Sequence, residues 1–165
     1  MANKARELLI AGLRNAHAME RQATELMERQ SERTKDYPEV RQRLLQHLEE
    51  SRMHMRRVEQ VLRSLGESES GLKDTAMSVM GNLAAMAHTV ADDEILKNTF
   101  ANNAFEHYEV AAYKSLLALG DRAGINVRAE LEQNLREDEQ MAAWVDSHVQ
   151  DVTLQYLSHE ERAAA

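Results

Sequence analysis

Four glutamates, Glu20, Glu50, Glu106 and Glu137, recur at matched places in the two halves of a chain of 165 residues. The segments "AMERQATELM" and "AFEHYEVAAY" align Glu20 with Glu106 at an offset of 86 residues, and "LLQHLEESRMHMRRVEQ" aligns with "LEQNLREDEQMAAWVDS" at an offset of 87, bringing Glu50 onto Glu137. On helices turning about 100° per residue, Glu20 and Glu106 fall inside apolar stripes, whereas Glu50 and Glu137 lie roughly 80–90° from the centre of theirs, both on the same flank. Burying a bare carboxylate is costly, and four that converge cannot all stay ionised in a dry interior without cations. The expected cations are metal ions, two per chain. Hard oxygen donors with one or two histidines and no cysteine suit iron or manganese.

The candidate ligands are Glu20, Glu50, His54, Glu106, Glu109 and Glu137. His54, one helical turn beyond Glu50, can reach the same ion, and Glu109 follows Glu106 by one turn at the edge of its stripe, placed equally for ligation or for solvent. Each has a plainer alternative. Glu20 and Glu106 could pair with Arg or His at the core edge, and His54 could be a satisfied core histidine. His47, one turn before Glu50, is another candidate but is expected rather to donate to a carboxylate from behind, His107 to be exposed, and Tyr108 and Tyr113 to serve packing. As equivalent positions of a repeat, Glu20 and Glu106 are expected to behave alike, with Glu50 and Glu137 bridging from the flanks.

These residues need rigid, parallel supports, and the sequence supplies them. Helices are expected over about 3–33, about 38–65, about 93–119 and about 126–155, with a shorter one over about 72–90. Asp36 and "ADDE" offer N-caps, Pro38 fits a first turn, and "GESESG" and "GDRAG" mark helix ends. Inward stripes run through Leu9, Leu13, Ala16, Glu20, Ala23 and Met27; Val40, Leu44, His47, Ser51, His54, Val58 and Leu62; Leu96, Phe100, Asn103, Glu106, Val110 and Leu117; and Leu131, Leu135, Asp138, Met141, Val145, Val149 and Val152. Long amphipathic rods bury such stripes only against one another, so the expected fold is all-α. It is a single domain over 1–165, a four-helix bundle of two antiparallel hairpins (about 3–65 and 93–157). Equal rise along antiparallel helices brings each glutamate pair to one level, at mid-bundle.

Composition excludes several other classes. Apolar residues make up 43% and aromatics 4%, with one proline, which favours helix over strand. The net charge of −8 is spread along the chain and argues against a nucleic-acid partner. No cysteine means no thiol catalysis and no Cys-ligated metal. No apolar run reaches the roughly 20 residues of a membrane span, and the N-terminus lacks a signal-peptide pattern, so a cytoplasmic location is expected. Phosphate loops, nucleophile triads and cofactor fingerprints are absent from the sequence, leaving a small oxidant as the only indicated substrate.

The segments "AMERQ", "HLEES", "FEHYEVAAYKSL" and "LREDE" resemble those of the ferritin-like stress-protein family typified by YciE and YciF, over nearly the whole chain. The third is the most specific. The resemblance implies a ferritin-like bundle, a di-metal carboxylate centre, a role in stress and a homodimer. The general pattern of such bundles is a Glu from each of two helices and Glu-x-x-His from the other two. Here Met53 and Gln140 stand at the expected histidine positions, Asp138 replaces the family's usual Glu, and Ala84, Ala85 and Ala142 stand where relatives often carry acids. Two functions follow as expectations: a di-metal protein that handles iron or manganese or reduces peroxide or dioxygen, or a metal-free helical scaffold acting by self-association.

Overall fold

The computed structural model describes residues 2–67 and 93–165; the helix expected over about 72–90 lies outside them. The described residues form four helices and no strand: α1 (Ala2–Arg33), α2 (Pro38–Ser64), α3 (Glu94–Ala123) and α4 (Arg128–Ala163). Helix α1 packs on α2 and α3, and α4 packs on α3 and α2, which makes a four-helix bundle. None of these helices is long and apolar enough to cross a membrane.

The helix ends follow local chemistry, with four departures from expectation. Tyr37, not Asp36, occupies the N-cap position of α2 and makes no side-chain cap bond. Its ring is buried and stacks on His159 at 5.1 Å, so packing and the fixed φ of Pro38 set this start. Asp93 takes the N-cap position of α3 as expected, but its side chain makes no cap bond and pairs with Lys97 at 2.7 Å. Helix α3 runs on through Gly120 and ends at Gly124, whose φ of +69° is the left-handed conformation glycine adopts freely. Gly120 is required by a close approach: a Cβ there would lie 2.6 Å from Val127 Cγ2. Helix α4 continues eight residues beyond Gln155, through a stretch without Gly or Pro that stacks His159 on Tyr37. The end of α2 is as expected, with Gly66 at φ +83° and Glu67 N–H donating to Leu62 O.

The stripes converge. Leu9, Leu13, Leu44, Val58, Leu62, Leu131 and Met141 are all but fully buried in one core, each contributing roughly 1.5–3 kcal/mol relative to exposure. Phe100, expected inward, is 53% exposed, and Asn98 and Thr99 take the buried positions of that turn instead. Between apolar layers sits a buried polar one: Glu20, His47, Ser51, His54, Glu106, Glu109, Asn134 and Asp138.

Candidate metal centre

Each helix contributes to the polar layer from the middle of its stripe. Helix α1 gives Glu20, α2 gives His47 and His54 two turns apart, α3 gives Glu106 and Glu109 one turn apart, and α4 gives Asp138. Ligand atoms of His47, Glu106, Glu109 and Asp138 lie within 4.8 Å of one another, and so do those of Glu20, His54 and Asp138. Asp138 belongs to both groups, which makes one continuous centre with two lobes.

The outer layer is nearly symmetric. Glu50 accepts from His47 Nδ1 (2.7 Å), Gln46 (2.8 Å) and Arg43 (3.2 Å). Glu137 is held by His54 Nε2 (2.8 Å), Gln133 (3.0 Å) and Arg57 (2.7 Å). Each glutamate grips the outer nitrogen of a histidine and aims the other nitrogen at the buried acids, as carboxylates behind metal-binding histidines do. The structure therefore places Glu20, His54, Glu106 and Glu109 in the two inner groups and Glu50 and Glu137 behind the histidines. His47, a further candidate ligand in the sequence and expected rather to donate to a carboxylate, does both: its Nδ1 donates to Glu50, and its Nε2 faces Glu106 at 3.1 Å and Asp138 at 3.9 Å. Asp138, read as a stripe member standing where the family usually has Glu and left open as a ligand, is the residue common to both lobes.

Charge explains the state of these groups. Burial opposes the charged form of His47, yet Glu106, Glu50 and Asp138 outweigh it and raise its pKa to about 10. Against the same opposition, Glu20, Glu137 and Asp138 raise that of His54 to about 9. Glu50 and Glu137, despite partial burial, are held down to about 2 by their hydrogen bonds and arginines. Burial first, then Glu20, Asp138 and Glu106, pushes the Glu109 carboxyl well above the usual range; burial and Glu20 do the same to Asp138. The centre is a set of acids too close to share an interior, with two imidazolium ions as partial compensation.

That compensation is incomplete. Glu20 Oε2, His47 Nε2, Glu106 Oε2 and both carboxylate oxygens of Glu109 and Asp138 are buried without a hydrogen-bond partner among the described residues. His47 Nε2 and Glu106 Oε2 are 3.1 Å apart yet misaligned for a hydrogen bond. Atoms that converge in this way without bonding one another could hold a metal ion between them. Glu20 Oε1, by contrast, is well satisfied: Tyr113 Oη donates to it at 2.6 Å and His54 Nδ1 lies at 3.1 Å. Asn134 in turn donates to Tyr113 Oη at 2.9 Å. The expected likeness of Glu20 and Glu106 thus ends at their position in the repeat, because their neighbours differ. Tyr113 is fully buried and Tyr108 is exposed, so packing describes only part of the first and little of the second.

Comparison with known proteins places this architecture. A protein from Xanthomonas campestris pv. campestris with a crystal structure is 30% identical and superposes with a TM-score of 0.79, over 96% of this chain and 99% of that one. YcfI from Rhodopseudomonas palustris, provisionally described as a structural protein, is 25% identical with a TM-score of 0.70, over 86% and 92% of the two chains. Residues 4–158 match the family described as "Domain of unknown function (DUF892)". The chain belongs to that family.

Proposed function

We propose that this protein is a ferritin-like di-metal carboxylate protein of the YciE/YciF type, which holds two iron or manganese ions at mid-bundle and handles those ions or reduces peroxide or dioxygen. The observation that carries this reading is the set of orphaned, buried donor atoms on Glu20, His47, Glu106, Glu109 and Asp138. An unsatisfied buried polar group costs about 1–3 kcal/mol, and several at one point are retained only where something else completes them. The donor set, mostly carboxylate oxygen with imidazole and no sulfur, fits iron or manganese.

In this reading His47, Glu106, Glu109 and Asp138 would hold one ion, and Glu20, His54 and Asp138 would hold the other. Bound redox-active ions would supply the electrons for reducing a small oxidant. The chain's own residues do the rest. Glu50 and Glu137 fix the two imidazole rings, Tyr113 fixes Glu20, and apolar residues one or two turns away, such as Leu13, Val58 and Met141, keep bulk water out.

A metal-free scaffold is the second reading. It is favoured by the two histidines, which compensate part of the acidic charge unaided, and by the description of YcfI as structural. Metal analysis separates the two. Protein purified without added metal, then titrated with Mn²⁺ or anaerobic Fe²⁺, should take up about two ions per chain. At a hundredfold excess over Kd each site should add about 2.7 kcal/mol to stability. No saturable uptake, with equal melting of metal-free and metal-treated samples, would favour the scaffold.

A further inference from the structure

We infer that the centre is functionally asymmetric: the lobe formed by His47, Glu106, Glu109 and Asp138 takes the first metal ion, and the lobe at Glu20 and His54 fills second and more weakly. The inference rests on the metal-binding reading above and adds an order of loading and its cause. The cause lies in where the internal repeat breaks. At the offset that pairs Glu20 with Glu106, Ala23 is the counterpart of Glu109, so only the second hairpin supplies a second inner carboxylate. At the offset that pairs Glu50 with Glu137, Ser51 is the counterpart of Asp138 and Asn134 that of His47. Ala23 for Glu109 and Asn134 for His47 leave the Glu20 lobe with fewer ligand groups than its counterpart, whereas Asp138, the counterpart of Ser51, serves both lobes.

Hydrogen bonding follows the same division. In the Glu20 lobe Glu20 Oε1 already receives Tyr113 Oη at 2.6 Å and His54 Nδ1 at 3.1 Å. His54 also has its other nitrogen on Glu137 at 2.8 Å. Apart from the shared Asp138, among the described residues only Glu20 Oε2 is left without a partner there. In the other lobe His47 Nε2, Glu106 Oε2 and both oxygens of Glu109 are unpartnered, all in residues at least nine-tenths buried. An ion entering this lobe replaces the His47–Glu106 contact at 3.1 Å, which is misaligned for a hydrogen bond, and completes both oxygens of Glu109, which have no partner among the described residues. An ion entering the Glu20 lobe must displace the His54–Glu20 hydrogen bond, and it gains one carboxylate fewer.

Calorimetric titration of the metal-free chain with Mn²⁺ tests the order, alongside Glu109→Gln and Glu20→Gln, both close in shape to the original. Circular dichroism and melting establish that each variant is folded. The native chain should show two steps separated at least tenfold in Kd. Glu109→Gln should weaken the tight step at least tenfold, whereas Glu20→Gln should leave that step within about threefold and abolish the weak one. Two indistinguishable sites in the native chain, or equal damage to the tight step by both substitutions, overturns the inference while leaving metal binding intact. Absence of Mn²⁺ uptake by the native chain overturns the metal reading and the inference together. Should either variant fail to fold, Glu106→Gln and His54→Gln replace the pair, with the tight step expected to fail only in the first.

Discussion

Replacing Glu109 with Gln should stabilise the metal-free protein and weaken the metal-loaded one. Glu109 is fully buried, both its oxygens lack partners, and burial together with Glu20, Asp138 and Glu106 pushes its carboxyl well above the usual range. Without metal the chain holds it either charged among like charges or protonated out of its normal range. Gln keeps the shape, cannot ionise, and brings an amide donor to the acceptors of Glu106 and Asp138 within its group. Relief of one unsatisfied buried group is worth about 1–2 kcal/mol. For a chain of this size that corresponds to a rise in Tm of roughly 2–8 °C. The assay is thermal unfolding followed by circular dichroism, in chelator and then in saturating Mn²⁺. The variant should melt above the native chain in the first condition and below it in the second. A folded variant that melts lower in chelator would show that Glu109 is stabilised by something other than a missing cation, and would refute the reasoning.

Three further outcomes follow from the same geometry. The pKa values of His47 and His54 are raised to about 10 and about 9 in the fold, so their stabilising contribution is fully present below the unfolded value near 6.5 and is lost as pH climbs through 9–10. The raised Glu109 and Asp138 act in the same direction, and Glu50 and Glu137, held near 2, lose their contribution only as pH falls from about 4.5. Metal-free protein should therefore melt highest in mildly acidic buffer and progressively lower towards pH 10, and a Tm rising over that range would contradict this. Metal uptake at pH 7 must displace protons from both histidines, so calorimetry in two buffers of different ionisation enthalpy should report release of about two protons or more per chain; binding without release would count against His47 and His54 as ligands. Gly120→Ala should cost about 1–3 kcal/mol, since the added Cβ meets Val127 Cγ2 at 2.6 Å and Ile125 O at 3.1 Å, while leaving metal stoichiometry unchanged; an unchanged Tm would show that the α3–α4 turn yields easily.

The bundle was legible because periodicity dominates long helices. Leu9, Leu13, Glu20, His47, His54, Glu106 and Asp138 all lie where a turn of 100° per residue puts them. Helix ends were read less well, because Asp36 and Asp93 have the chemistry of caps but Tyr37 packing and the Asp93–Lys97 pair decide the outcome. At the centre, Glu50 and Glu137 were read from their offset as ligands bridging from the flanks, whereas the structure puts them on the outer nitrogens of His47 and His54. Which nitrogen of His47 faces inward, and that Tyr113 and Asn134 secure Glu20, depend on contacts between helices distant in sequence. The breaks in the repeat at Ala23, Ser51 and Asn134 were visible in the chain, but their consequence needed the hydrogen bonds to be seen.

The central claim, that the mid-bundle acids exist to hold metal, is tested most directly by anomalous diffraction from crystals of the native chain grown with Mn²⁺ and measured at the manganese edge. Anomalous density should appear among His47, Glu106, Glu109 and Asp138, with a second, weaker peak by Glu20, His54 and Asp138. Density confined to surface carboxylates, with the His47 and His54 networks unchanged and the mid-bundle empty, would contradict it.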